Sequence, residues 1–159
     1  GLAAGKPIFA VAISPAKVGR LSGVLGSLAC LFMNMREARV LADSDAASPV
    51  ETARRLREKG LTQAAITAGG EAVIGFDHVG IFTLSPPPAE TVADVTGAGD
   101  ALAGTTLACM LRGMSLREAV RHGVAAAVLT VERPAVVAHY GQSEFQEKLG
   151  LVGSAEPVA

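Results

Sequence analysis

Two aspartates bracket a short glycine-rich turn at residues 94–100, whose sequence is Asp-Val-Thr-Gly-Ala-Gly-Asp. Apolar residues follow it at helical spacing: Ala101, Leu102, Leu107, Ala108 and Leu111. The turn is therefore predicted to form a helix N-terminus, where unpaired backbone N–H groups and the helix dipole favour a phosphate or a developing anion. An ordinary helix cap explains one aspartate but not the second.

Asp100 comes directly after the predicted anion cradle of Gly97, Ala98 and Gly99. A carboxylate in that place can act as a general base for a hydroxyl, while the backbone N–H groups stabilise charge on a transferring phosphoryl group. Two common phosphate loops are excluded. The chain has no Gly-x-x-x-x-Gly-Lys-Ser/Thr stretch, and the glycine after Gly99 is Gly104, which is not at dinucleotide-binding spacing.

Asn34 and Glu37 stand three residues apart where a predicted strand meets a predicted helix. They could hold phosphate oxygens and the water shell of Mg²⁺, which commonly keeps several waters and binds one or two carboxylates. The same spacing fits a helix cap with its capping-box acid, and both interpretations stay open. The stretch from Thr67 to Gly70 is, on its own, typical of a plain turn.

Short apolar runs alternate with helical patterns along the first half of the chain. The predicted elements are strands at 7–13, 31–33 and 64–67, helices at 15–27, 35–41 and 50–59, a hairpin at 73–76 and 79–84, helices at 101–112, 116–131 and 143–149, and a short strand at 136–137. The first strand lacks alternation, which predicts that both of its faces are covered. Residues 85–90 contain three prolines and form an extended linker.

This alternation predicts an α/β layered architecture. In open sheets of that kind, ligands bind beyond the carboxyl ends of the strands. Asn34 and Thr67 each end a predicted strand, and the turn that begins at Asp94 leads into a helix N-terminus. We therefore expect these three places to converge.

The 159 residues are 50% hydrophobic but only 4% aromatic, so the core is expected to be aliphatic. With a formal net charge of -1 and no run of like charge, nothing indicates a nucleic-acid or membrane partner. The longest uncharged run, from Leu21 to Met35, has 15 residues and is too short to span a membrane.

Cys30 and Cys109 stand far apart in apolar stretches, which favours buried free thiols and a cytoplasmic location. The three histidines show no metal-ligand spacing. Four basic residues in the 50–59 helix most simply form a solvated helix face, although they could attract an anion.

The 94–100 stretch resembles the C-terminal signature of the ribokinase-like (PfkB-type) sugar and nucleoside kinases. The order of Asn34-x-x-Glu37, Thr67-Ala-Gly-Gly70 and the signature is also similar to that family, and the resemblance covers nearly the whole chain. Three short stretches resemble the pseudouridine-kinase branch most: Pro7-Ile-Phe, Ser14-Pro-Ala-Lys17 and residues 125–131.

The resemblance implies a ribokinase-like layered αβα sheet, of which this chain is only the C-terminal, nucleotide-binding portion. Residues 1–153 would be the ATP-binding part of the kinase domain, and residues 154–159 a polar tail. The implied activity is transfer of the ATP γ-phosphate to a hydroxyl of a small sugar or nucleoside, with pseudouridine as the preferred substrate. A ribose-, fructose- or adenosine-type kinase and a non-catalytic nucleotide-binding module are the alternatives.

The resemblance also implies a role for each matching residue. Asp100 would be the base, and Gly97, Ala98 and Gly99 the anion hole. Asn34 and Glu37 would serve phosphate and Mg²⁺, whereas Thr67, Gly69 and Gly70 would line the nucleotide site. Asp94 and Thr96 match positions beside which family members often bind a monovalent cation such as K⁺. The adenine would lie near residues 124–127.

The chain departs from the family pattern in three respects. Val11-Ala12 stands where pseudouridine kinases usually have an Asp-Pro pair, and the asparagine that is common near Val124 is absent. Such kinases are also much longer, and their N-terminal half supplies much of the sugar site. We therefore expect the chain alone to turn over poorly, and we expect an exposed sheet edge that makes homo-oligomers plausible.

Overall fold

The computed structural model describes residues 4–44, 47–134 and 138–158. They form two compact units. The sheet unit lies within Gly1–Ala68, Val73–Thr83 and Pro157–Ala159, and the helical unit within Gly69–Ala72 and Leu84–Glu156.

Six strands form one mixed sheet in their order along the chain. They are β1 (Phe9–Val11), β2 (Cys30–Asn34), β3 (Ala64–Thr67), β4 (Val73–Phe76), β5 (Ile81–Leu84) and β6 (Glu156–Pro157). The first three strands are parallel, and β4 runs antiparallel to β3. This arrangement confirms the predicted α/β class. The short strand β6 lies within the expected polar tail and was not predicted.

Helices of the sheet unit join the parallel strands. They are α1 (Pro15–Val18), which continues into a 3₁₀ segment (Gly19–Ser27), α2 (Met35–Ala42) and α3 (Pro49–Glu58). The prediction of one α-helix over residues 15–27 was wrong beyond Val18. Three glycines between residues 19 and 26 carry low helix propensity, and the chain there takes the tighter 3₁₀ winding instead.

The core of the sheet unit is aliphatic, as the composition predicts. Leu31 and Met33 of β2 and Ile66 of β3 are almost fully buried, in one cluster with Leu41 and Leu56 from the helices. Alternate side chains of a strand point to opposite faces, so Leu31 and Met33 share the face that packs into this cluster.

Strand β1 differs from its prediction. Only Phe9–Val11 is extended in the sheet, and Val11 is 48% exposed while Ile13 just beyond it is 74% exposed. The expectation that both faces are covered was therefore wrong. Among the described strands β1 pairs with β2 alone, and an edge strand of three residues buries little surface.

The helical unit contains α4 (Ala98–Leu111), α5 (Leu116–Val131) and α6 (Gln142–Leu151), close to the predicted bounds. The oxygen Oγ of Ser115 caps α5 by accepting the backbone N–H of Glu118. Helix α4 buries Leu102, Ala103, Thr106 and Cys109. Leu111, which belongs to the expected apolar set, is instead 69% exposed, because α4 is apolar on most sides and its neighbours decide which side is buried.

Helices α4 and α5 approach each other closely at Gly123. A Cβ atom placed on Gly123 would lie 2.7 Å from the backbone oxygen of Leu102 and would also overlap the hydroxyl of Thr106. Only a residue without a side chain fits between these two helices, and the contact fixes where α4 lies along α5.

Three further sequence predictions concern the two cysteines, a short strand at 136–137 and membrane-spanning segments. Both cysteines are free and buried, as expected, and burial raises the pKa of the Cys30 thiol to about 12. The short strand predicted at 136–137 lies outside the described residues. Within the described ranges, we find no helix with the length and apolar character that a membrane span requires.

We predict that Gly123→Ala lowers the free energy of unfolding by about 2 kcal/mol, because the added methyl group overpacks the α4–α5 contact. Urea unfolding of the chain measures this change. Gly104→Ala is the matched control. A Cβ there meets no atom within 4 Å, so this variant should gain up to about 1 kcal/mol of helix propensity. Equal stability of the two variants would contradict the close contact.

Candidate functional site

Asn34 and Thr67 lie side by side at the carboxyl ends of β2 and β3. The two residues are register partners in the parallel pairing of these strands. The expectation that these two strand ends meet at one edge of the sheet is therefore confirmed, and this edge is where open α/β sheets bind ligands.

The capping-box interpretation of Asn34 and Glu37 is realised in the fold. Asn34 Oδ1 accepts the backbone N–H of Glu37 at 3.0 Å, and the backbone N–H of Asn34 donates to Glu37 Oε2 at 2.8 Å. Glu37 is only 3% exposed, whereas Asn34 is exposed. The cap leaves the side-chain Nδ2 group of Asn34 uninvolved, so Asn34 can both start α2 and donate to a ligand.

The turn after β3 presents backbone to solvent. Gly69 and Gly70 are exposed, and a Cβ on either one would meet no atom within 4 Å. Both glycines belong to the helical unit, which also holds the Asp94–Asp100 loop, whereas Asn34, Glu37 and Thr67 belong to the sheet unit.

The Asp94–Asp100 loop forms the N-terminus of α4, as its sequence predicts. Asp94 Oδ1 accepts the backbone N–H of Thr96 at 2.8 Å, and Gly97 follows with a φ of 82° as the residue before the helix. That left-handed conformation favours glycine. The carbonyl of Gly97 accepts the N–H of Ala101 at 2.8 Å, which closes the first turn of α4.

No side chain caps the N-terminus of α4. Helices α2, α3 and α5 have their first turns capped by the side chains of Asn34, Ser48 and Ser115, whereas α1 and α6 lack a side-chain cap, as α4 does. In the first turn of α4, the N–H of Ala98 donates to the carbonyl of Val95 at 3.4 Å, and no side chain of the described residues accepts from the N–H groups that follow it. These following groups can serve an outside acceptor, which the helix dipole favours as an anion. Asp100 lies in this first turn and is exposed.

The space beside Gly99 is open, and no packing contact within the described part of the chain requires a glycine there. Gly99 lies in the first turn of α4, and a Cβ atom on it would meet no atom within 4 Å. An alanine would be accommodated without strain, so neither packing nor backbone conformation calls for glycine there. A glycine at this position allows close approach of a ligand to the backbone.

Asp94 is held in its ionised form by its neighbours in the loop. The backbone N–H of Thr96, followed by the Thr96 hydroxyl, lowers the pKa of Asp94 below its ordinary value. Asp94 and Thr96 therefore bond to each other, and their expected place beside a monovalent cation remains a prediction. The described residues contain no group of three or more His, Cys, Asp or Glu side chains placed to hold a metal ion.

The loop is attached to the end of α5, which the sequence did not reveal. The carbonyl of Val131 accepts the N–H of Ala93 at 2.9 Å and that of Asp94 at 3.3 Å. The last carbonyls of any helix lack partners within the helix, so a need for such partners could be anticipated. Which segment supplies them depends on tertiary structure.

Comparison with known proteins gives the chain its relatives. The sequence model described as "pfkB family carbohydrate kinase" matches residues 4–139. The chain is 30% identical over 122 residues to a pseudouridine kinase of Escherichia coli (strain K12), covering 75% of this chain and 39% of that protein. It is 33% identical over 105 residues to a cytidine kinase of Thermococcus kodakarensis, covering 65% of this chain and 37% of that protein.

Solved structures share the fold. A carbohydrate kinase from Agrobacterium tumefaciens is 39% identical, with a TM-score of 0.80 over 97% of this chain and 49% of that one. An Arabidopsis thaliana ribokinase, solved with ribose and ATP, is 22% identical, with a TM-score of 0.75 over 92% of this chain and 48% of that one. The chain thus spans less than half the length of each of these four proteins.

We predict that the amide resonance of Thr96 titrates with a midpoint below the ordinary carboxyl pKa of Asp94, 3.8. Because the folded pKa is lowered, the turn is fully formed above that value and is lost as the pH falls through the folded pKa. Amide NMR spectra recorded from about pH 6 downwards measure the midpoint. In Asp94→Asn this titration should vanish; its persistence would mean that Asp94 does not accept from Thr96.

Proposed function

Because this chain belongs to the pfkB family of carbohydrate kinases, we propose that it carries the nucleotide-handling part of an ATP-dependent kinase. The reaction is transfer of the γ-phosphate to a hydroxyl of a small sugar or nucleoside. One observation carries the proposal: α4 begins with first-turn N–H groups that no side chain caps, with Asp100 in the same turn. Since the chain spans less than half of its relatives, the activity of the whole protein is part of this proposal.

Asp100 acts as the general base in this proposal. Its exposed carboxylate takes the proton of the acceptor hydroxyl as that oxygen attacks the γ-phosphorus. The bond between this phosphorus and the β–γ bridging oxygen breaks, and ADP leaves. The backbone N–H groups of Gly97, Ala98 and Gly99, where the loop enters α4, stabilise the charge on the transferring phosphoryl group. Both roles are placed in one turn of helix because the reacting hydroxyl lies between two groups. One is the phosphoryl group that it attacks, and the other is the carboxylate that takes its proton.

We assign the phosphates of ATP and their Mg²⁺ to the side chains of Asn34 and Glu37. Asn34 faces solvent with its Nδ2 group free of the helix cap, which suits a phosphate oxygen. Glu37 has the oxygen chemistry that Mg²⁺ prefers, but it is buried in the capping box, so contact through an ordered water fits it better than direct binding. Mg²⁺ supplies charge neutralisation between the phosphates when it is bound.

Thr67, Gly69 and Gly70 are assigned to the nucleotide. Thr67 ends β3 beside Asn34, and the two exposed glycines leave the backbone accessible to a flat or bulky ligand. We propose K⁺ as the monovalent cation beside Asp94 and Thr96, because a carboxylate that remains ionised and a hydroxyl are present there.

Pseudouridine is the acceptor that we propose first. Support comes from the similarity to a pseudouridine kinase, and the similarity to a cytidine kinase extends the range to other pyrimidine nucleosides. A ribose-, fructose- or adenosine-type activity is the alternative. Phosphorylation rates of the complete gene product on pseudouridine, cytidine, adenosine, ribose and fructose separate these substrates. A preference for a free sugar over every nucleoside would reject the nucleoside assignment.

Asp100→Asn is expected to lower kcat of the complete gene product by about 10²–10⁴-fold, because the variant cannot accept the hydroxyl proton. ATP affinity should change little. Glu118→Gln is the matched control, since Glu118 occupies the first turn of α5 as Asp100 occupies that of α4. Unchanged turnover of Asp100→Asn would remove Asp100 from the role of base. ATP binding without any phosphotransfer by the wild type would favour a non-catalytic nucleotide-binding module.

Gly99→Ala is expected to weaken binding of ATP at least about tenfold while leaving the unfolding midpoint unchanged or slightly raised. The added methyl group meets no protein atom and would occupy the space of the phosphates. Gly104→Ala, a residue of the same helix with equally open surroundings, controls for helix propensity. Calorimetric titration with Mg-ATP measures the affinity, and equal affinity in both variants would contradict the phosphate site at α4.

A further inference from the structure

Glu132 stands where an isolated helix would disfavour it. It is the C-cap residue of α5, at the helix end that carries partial negative charge, and its side chain is only 10% exposed. A carboxylate placed there and removed from water is costly unless other groups compensate it. Such locally unfavourable residues concentrate at positions with a functional demand.

Lys148 of α6 provides that compensation. Its Nζ atom lies 2.8 Å from Glu132 Oε1, and its side chain is 7% exposed. Burial disfavours both charges, yet the hydrogen bond from Lys148 and the one from the backbone of Glu90 lower the pKa of Glu132. Burial is the largest single effect on Lys148, but the hydrogen bonds and charges of Glu132 and Glu90 together outweigh it and raise the pKa of Lys148.

The same carboxylate oxygen holds the chain that leads into the Asp94–Asp100 loop. Glu132 Oε1 accepts the backbone N–H of Glu90 at 2.9 Å. Val131, the preceding residue, accepts the N–H groups of Ala93 and Asp94 through its carbonyl. Residues 90–94 are thus fixed at both ends by Val131, the last residue of α5, and by its C-cap Glu132. Lys148 Nζ also lies 3.5 Å from Glu90 Oε1.

We propose that Glu132 is a positioning residue for the Asp94–Asp100 loop and that Lys148 holds the Glu132 carboxylate in place. Glu132 fixes Glu90, which sets the path of residues 90–94. That path in turn sets Asp94, which forms the turn to Thr96 from which α4 starts. This inference rests on the proposed function for its catalytic consequence, whereas the restraint on the loop can be measured without any activity.

A purely structural ion pair is the competing explanation, and the chain contains a matched example. Arg133 and Glu144 also join the end of α5 to α6 through an ion pair. Neither residue makes a hydrogen bond to residues 90–94; Arg133 Nη1 donates instead to the carbonyl of Leu129. Glu144→Gln removes this second pair but keeps Arg133, whose charge also acts on Glu132. It therefore perturbs the same helix junction without removing a hydrogen bond to residues 90–94.

The test compares Glu132→Ala, Glu132→Gln and the control Glu144→Gln by amide hydrogen exchange and by kinetics of the complete gene product. Exchange at Ala93 and Asp94 should accelerate about tenfold or more in Glu132→Ala, less in Glu132→Gln, which keeps an acceptor oxygen, and not in Glu144→Gln. The kcat for phosphotransfer should fall most in Glu132→Ala, less in Glu132→Gln and not in Glu144→Gln. The KM for the acceptor should stay within about twofold of the wild type.

Equal exchange rates at Ala93 and Asp94 in the Glu132 variants and the control would overturn the proposal. So would faster exchange in Glu132→Ala with kcat unchanged. If the wild type itself transfers no phosphate, the proposed function fails separately. Faster exchange together with weaker Mg-ATP binding in Glu132→Ala would then still support the positioning role. Should Glu132→Ala not fold, Glu132→Gln gives the same comparison.

Discussion

The candidate site depends on backbone N–H groups at the start of α4 that the protein leaves without a side-chain acceptor. Gly97 makes this possible, because its left-handed conformation turns the chain into the helix without a capping side chain. Asp94 completes the turn from the other side by accepting from Thr96. An anion that binds there meets donors already oriented by the fold, which is the condition for electrostatic stabilisation of a transition state.

Much of this could be predicted from the sequence, for reasons that lie in local chemistry. Asn34 and Glu37 have the spacing of a capping box, Ser115 has that of an N-cap, and the glycine-rich stretch after Asp94 precedes a helical pattern; each of these starts a helix where expected. The resemblance of the 94–100 signature to the PfkB-type kinases is confirmed by the family match over residues 4–139.

Other features depend on contacts between distant residues, and the sequence contains no local sign of them. The edge position of β1 determines that Val11 is half exposed, although its apolar run resembles a buried strand. The two residues of β6 are too few to produce a periodic pattern. The buried pair of Glu132 and Lys148 links residues that are separated along the chain and become partners only once α5 and α6 are packed. The side of α4 that is buried is likewise decided by its neighbour.

Helix α5 contacts α4 at Gly123 and binds the segment before α4 through the Val131 carbonyl. The length of α5 between these two residues therefore sets the distance between the two contacts. These eight residues span about 12 Å of helix at 1.5 Å per residue. Insertion of one residue there would rotate the Val131 carbonyl by about 100° around the helix axis and carry it away from Ala93 and Asp94. Length changes in this part of α5 should therefore be tolerated far less than changes in the surface connections, although no residue of the segment belongs to the anion cradle.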